Sequence, residues 1–175
     1  MHDEDTGLTD RFRDPQTAQA VAQAIRARST GPIRLMEFCG GHTHAILRFG
    51  IPSLLPETVD LRSGPGCPVC VTAAADLDRA IALAEIPDLI LTTFGDMIRV
   101  PGSRTSLAEA KAGGADVRVV YSPLDALQVA RQNPDRPVAF LGVGFETTAP
   151  MVASAILSAH DEGLGNFYVF STHKL

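Results

Sequence analysis

A chain of 175 residues with 15 basic and 20 acidic side chains carries a formal charge of −5, which argues against a nonspecific nucleic-acid binder. It has no Trp and only 6% aromatics to act as base-stacking platforms, while 45% hydrophobic and 20% charged residues give it the makeup of a folded globular protein. No apolar run approaches the ~18 residues of a membrane span, and the acidic start is unlike a signal peptide, so the expected location is the cytoplasm, with no nucleic acid and no membrane as partner.

Residues 1–13 are expected to form a flexible N-terminal arm. From Asp14-Pro15 onward, Ala18, Val21, Ala22 and Ile25 recur at helical spacing behind a cap and a proline, which predicts a helix to residue 28, closed by Gly31-Pro32. Short apolar runs over 33–38, 59–61, 89–93, 117–121, 138–141 and 167–170 predict strands. Helical patterns over 73–84, 106–112, 124–131 and 147–160 lie between the later ones. Strands alternating with helices imply crossover connections, so the expected fold is α/β: a parallel sheet flanked by helices in a Rossmann-like three-layer arrangement. Asn133-Pro134-Asp135-Arg136-Pro137 reads as a linker, because two prolines and their restricted neighbours interrupt regular structure. The expected organisation is therefore the arm, an α/β domain over 14–132 carrying the cysteine motifs, and, over 137–175, the start of a second α/β unit or an extension of the first.

Ligands of open parallel sheets bind beyond the carboxyl ends of the strands, so the residues that follow each strand are the candidates for chemistry. After the first strand comes Cys39-Gly40-Gly41-His42-Thr43-His44. A cysteine there, ahead of a helix start, faces backbone N–H groups and the positive end of a helix dipole, which favour a thiolate. His42 and His44 add imidazoles as ligands or proton donors. The plainer alternative is a packed cysteine at a tight turn beside two surface histidines. Cys67-Pro68-Val69-Cys70 follows the second strand. In a cytosolic α/β protein this spacing supports a reversible disulfide, or two of the four ligands of a soft metal site. Three cysteines without an export signal favour reactivity or metal binding over a disulfide framework, and the three thiols and two imidazoles are expected to converge on one crevice. The segments Phe94 to Ser103 and Gly142 to Pro150 read as glycine-rich turns into capped helices, with Asp96, Arg99 and Glu146 as candidates for binding or proton transfer against an alternative of solvated loop charges. Gly142-Val143-Gly144 lacks the third glycine and the acid of a dinucleotide fingerprint.

Taken in order, Cys39-Gly-Gly-His42-Thr-His44, Gly64-Pro-Gly-Cys67-Pro-Val-Cys70, Phe94-Gly-Asp-Met-Ile-Arg-Val-Pro-Gly-Ser103, Gly144-Phe-Glu-Thr-Thr148 and Ser171-Thr-His-Lys174 resemble the hydrogenase maturation factor HypD family. The resemblance runs from about Pro32 to Leu175 and covers about the first half of a family member. It implies a scaffold with thiol redox chemistry, rather than a turnover enzyme, on which the Fe(CN)2CO unit of [NiFe]-hydrogenase is assembled. A HypC-type chaperone shares the iron and a HypE-type partner donates cyanide. By motif, Cys39 becomes the iron-binding thiolate with His42 or His44 beside it, Cys67 and Cys70 a redox pair, Glu146 a further catalytic residue, and Gly40, Gly41, Asp96 and Arg99 residues that hold the cargo. The family's four-iron four-sulfur cluster is held by cysteines in its later part, which this chain does not contain. Two other functions fit the bare residues: a thioredoxin-like oxidoreductase using Cys67 and Cys70 with Cys39 as resolving thiol, and a structural zinc module built from the three cysteines and one histidine.

Overall fold

The computed structural model describes residues 14–174; the arm read over 1–13 lies outside the described residues. The chain parts into two compact units, the first ending at Cys67 and the second beginning at Pro68, so the division falls inside the Cys67-Pro68-Val69-Cys70 motif.

In the first unit, helix α1 (Pro15–Arg28) starts where the sequence places it. The Asp14 carboxylate accepts hydrogen bonds from the N–H groups of Gln16 and Thr17 at 3.1 and 3.0 Å, satisfying donors that the first turn cannot pair, and Pro15 needs no such partner. Arg26 and Arg28 complement the dipole in the last turn. Then come strand β1 (Ile33–Glu37), helix α2 (Gly40–Arg48), the short helix α3 (Ile51–Leu54) and strand β2 (Val59–Ser63). β1 and β2 pair in parallel, from Ile33 opposite Val59 to Glu37 opposite Ser63. Ala22 is the one buried residue among those described in this unit. The face of α1 expected to be buried is otherwise open, with Val21 and Ile25 exposed, and so are Leu35 and Leu47, at 53% and 67%. Parallel strands ordinarily have both faces covered; among the described residues, β1 is exposed over Ile33–Met36.

The second unit has a four-stranded, all-parallel sheet in the order β4-β3-β5-β6, formed by β3 (Ile90–Thr93), β4 (Asp116–Val119), β5 (Val138–Gly142) and β6 (Phe167–Ser171). On one face α4 (Ala74–Ala84) and α5 (Leu107–Ala112) bury Leu77, Ile81 and Leu107 against Leu91, Val117, Ala139 and Leu141. On the other, α6 (Pro123–Gln132) and α7 (Ala149–Asp161) bring Ala126, Ala130 and Val152 against Ile90, Val138 and Phe140. The alternation of side chains along β3 and β5 between the two clusters follows from the two-residue period of a strand. This is an α/β fold of three layers, as the sequence pattern predicts.

The double-proline stretch connects α6 to β5 within this sheet-bearing unit. Asn166 ties it down, its Nδ2 donating to the carbonyls of Ala130, Asn133 and Arg136 at 2.9–3.0 Å, and Arg136 adds a bond to the Asp88 carbonyl at 2.9 Å and an ion pair with Asp116. Because β3 connects onward to β4 on one side and β5 returns on the other, the connection changes direction between β3 and β5, and their carboxyl ends form the switch point at which open α/β sheets bind ligands. Among the described residues no helix is long and apolar enough to cross a membrane.

Candidate metal and thiol site

The carboxyl end of β1 is where donors gather. Cys39 is the N-cap of α2, in extended conformation (φ −125°, ψ 122°), so the strand geometry continues two residues past Glu37. Residues two apart on an extended chain point to the same side, which places Glu37 and Cys39 together, and His42 joins them from the first turn of α2. One donor atom each of Glu37, Cys39 and His42 lies within 4.8 Å of the others. The three offer a carboxylate oxygen, a sulfur and an imidazole nitrogen, a mixed set that suits a borderline or soft divalent metal. Glu37 Oε1 accepts the Cys39 N–H at 2.7 Å and stands 3.2 Å from His42 Nδ1. The His42 side chain is 73% exposed and that of Glu37 28%, so the cluster opens to solvent on the imidazole side. Beside it a cavity of 240 Å³ is lined by Glu37 and by apolar groups including Leu35, Met36, Ile46, Leu47 and Leu61.

Two glycines of the sequence motifs are explained here. A Cβ on Gly41 would stand 3.7 Å from Cys39 Sγ, an ordinary contact, so the sulfur lies over the first turn of α2. Gly64 donates its N–H to the carbonyl of Glu37 at 2.7 Å. A Cβ there would come within 2.7 Å of the same carbonyl oxygen and 3.0 Å of Met36 Cγ. Gly64→Ala is therefore expected to push the end of β1 aside and destabilise the fold by about 1–3 kcal/mol, the usual range for overpacking. Denaturant unfolding reads this, and a loss below about 0.5 kcal/mol would show that the strand end yields freely.

Of the residues singled out in the sequence, the structure brings Cys39 and His42 together. It places neither His44, which is exposed on α2, nor Cys67, in the same unit, within their cluster. Glu37 was missed, although its two-residue spacing from Cys39 at a strand end is a readable signal. The three cysteines are thiols, Cys39 and Cys67 half-buried and Cys70 exposed. In the second unit, Pro68 and Val69 line a cavity of 290 Å³ with Phe94, Gly95, Asp96, Met97, Val120, Tyr121 and Val143, at the switch point between β3 and β5. Thr72 closes the adjoining turn, its Oγ1 donating to the Pro68 carbonyl at 2.8 Å. Asp96 is thus at the mouth of the switch-point cavity, whereas Arg99 and Glu146 are exposed on loops and outside its lining. His173, a motif residue to which the sequence assigned no role, lies against the bare faces of Gly142 and Gly144: a Cβ on either would come within 3.1 Å of its ring. The two glycines make room for an imidazole carried just past the end of the neighbouring strand β6. Ser171 Oγ lies 2.8 Å from His173 Nδ1, Nε2 is buried without a hydrogen-bond partner among the described residues, and burial holds the ring's pKa below the ordinary histidine value.

The family model described as "HypD: Hydrogenase formation hypA family" matches residues 16–175. The chain belongs to the HypD family. Its curated relatives include the hydrogenase maturation factor HypD of Azotobacter vinelandii, 56% identical over 169 residues (95% of this chain, 45% of the relative). That of Rhodobacter capsulatus is 52% identical over 169 residues (93% and 45%), and that of Escherichia coli strain K12 47% over 173 (95% and 46%). The chain thus spans somewhat under half the length of the HypD proteins it matches. A four-iron four-sulfur cluster takes four thiolates. This HypD-family chain has three cysteines, and the donors gathered at Cys39 are oxygen and nitrogen, not sulfur, so the residues present do not fit such a cluster.

Proposed function

We propose that this chain takes part in hydrogenase maturation as an assembly scaffold, offering the Cys39 thiolate, with His42 beside it, to an iron atom that is the cargo rather than a resident cofactor. The observation that carries this is the meeting of Cys39, His42 and Glu37 donors within 4.8 Å at the carboxyl end of β1, in a chain whose relatives bear the name hydrogenase maturation factor. Iron that carries cyanide and carbon monoxide is a soft centre, for which a thiolate is the matched protein ligand. The open imidazole side and the uncovered apolar residues of the first unit suit a site that a second protein closes, and we assign that place to a HypC-type chaperone, with a HypE-type partner as cyanide donor. Cys67 and Cys70 would serve as a thiol pair of C-x-x-C spacing, suited to reversible redox chemistry. The work is expected to take place in the cytoplasm.

The test is infrared spectroscopy of anaerobic complexes made by co-expressing HypC- and HypE-type partners with this chain and, in parallel, with the Escherichia coli relative. Stoichiometric iron and the stretching bands of bound cyanide and carbon monoxide are expected in both. Bands in the relative alone would overturn the proposal for this chain, and bands in neither would overturn the ligand assignment itself.

A further inference from the structure

We infer that Glu37 is a positioning residue that fixes the tautomer and orientation of His42, so that the imidazole presents Nε2 to the metal while Nδ1 is held inside the protein. This rests on the reading of Cys39 and His42 as the metal-holding pair and adds how the protein prepares them.

An ionised carboxylate has acceptors and no donor. His42 Nδ1, 3.2 Å from Glu37 Oε1, must therefore carry the hydrogen if the contact is a bond, and the neutral ring is left with its lone pair on Nε2. Metal-binding histidines regularly have this arrangement, in which the second ring nitrogen donates to a carboxylate and the ligating one gains basicity. The same Oε1 accepts the Cys39 N–H at 2.7 Å. A single oxygen thus ties the backbone that carries the thiol to the ring that carries the nitrogen donor, and sets the spacing between the two. Glu37 is itself held in place: it ends β1, it pairs with Ser63 in the parallel register, and its carbonyl is bound by Gly64. Its side chain is also the most shielded of the imidazole–carboxylate pair, 28% exposed against 73% for His42, as befits the fixed member that orients a mobile one.

The decisive measurement is the ring ¹⁵N shifts of His42 in the metal-free chain at about pH 8, where an ordinary histidine is neutral. The unaltered chain is expected to show the Nδ1–H form. Glu37→Ala is expected to revert to the Nε2–H form that free histidine prefers. Glu37→Gln keeps an acceptor oxygen at the same place and is expected to retain Nδ1–H in part, which also guards against misreading a variant that folds poorly. Titration with Co²⁺ alone should show affinity falling about 10–100-fold in Glu37→Ala, with thiolate-to-cobalt absorption intact at saturation. An Nε2–H ring in the unaltered chain, or the same tautomer with and without the carboxylate, would overturn the inference. Loss of the thiolate absorption in Glu37→Ala would overturn it too, by making the carboxylate essential to ligation rather than to orientation. The tautomer speaks to Glu37 alone, whereas failure of the unaltered chain to take up cobalt would count against the ligand set proposed above.

Discussion

Cys39→Ala is expected to lower Co²⁺ affinity by more than about 100-fold, beyond the 10–100-fold that removal of an outer partner costs, and to eliminate the thiolate-to-cobalt absorption. Sulfur is the only soft donor in the cluster of Glu37, Cys39 and His42. What remains without it is one exposed imidazole beside the carboxylate that orients it, which is weak as a metal site. Cys39→Ser separates the loss of softness from the loss of a ligand: the hydroxyl keeps the place but is a poor match for iron or cobalt, so it should behave nearly as alanine does. Cys67→Ala and His44→Ala are the counterparts. Neither residue belongs to the cluster, and affinity should stay within about twofold of the unaltered chain, as for positions that share no partner. Retention of thiolate absorption in Cys39→Ala, with its loss in Cys67→Ala, would move the site to the C-x-x-C motif and overturn the assignment made here. Isothermal titration of each variant alongside the absorption spectra decides the matter.

The elements that the sequence revealed are those whose signal is local. Asp14-Pro15 opens α1, Ser106 caps α5 through the Glu109 N–H, and short apolar runs bounded by glycine mark all six strands. α3 escaped because Gly50-Ile51-Pro52 looks like a break: the proline that starts so short a helix is also the residue that ends most others. The division at Cys67 is equally hidden. Two prolines at 134 and 137 are a stronger linker signal than Gly64-Pro65-Gly66, yet Asn166, a residue 29 positions beyond Pro137, ties that stretch to the sheet. At the site, the Cys-Gly-Gly-His pattern announced Cys39 and His42 because a cysteine before a helix start has a stated chemistry. Glu37 sat in a run already read as strand and was passed over, although alternation along β1 puts it on the cysteine's side. The glycines at 142 and 144 form an incomplete dinucleotide fingerprint in the sequence. Their neighbour is the ring of His173, about thirty residues away and two residues past the end of the adjacent strand, and no local pattern encodes a contact of that kind.

Phe140→Ala is expected to destabilise the second unit by about 3–5 kcal/mol, a large part of the ~5–15 kcal/mol that holds a domain folded. Phe140 is fully buried at the centre of β5 and packs with Val120, Ala126 and Val152. The ring of Phe94 meets it edge-on, with centroids 5.5 Å apart and planes at 90°, an arrangement that adds to the value of buried area alone. At roughly 4 °C or more per kcal/mol for a unit of this size, thermal unfolding should fall by at least about 12 °C. Phe140→Leu, which keeps much of the volume, should cost far less. A loss under about 1 kcal/mol in Phe140→Ala would mean that neighbours refill the space, and Phe94 is the neighbour free to do so from the sheet's carboxyl end. That movement would be felt at the switch point, because Phe94 also lines the 290 Å³ cavity that Pro68 and Val69 of the C-x-x-C motif border. The aromatic pair thus joins the core of the sheet to the wall of the cavity beside the motif, so that cavity should keep its size when Phe140→Ala costs the full ~3–5 kcal/mol and enlarge only where Phe94 refills the core.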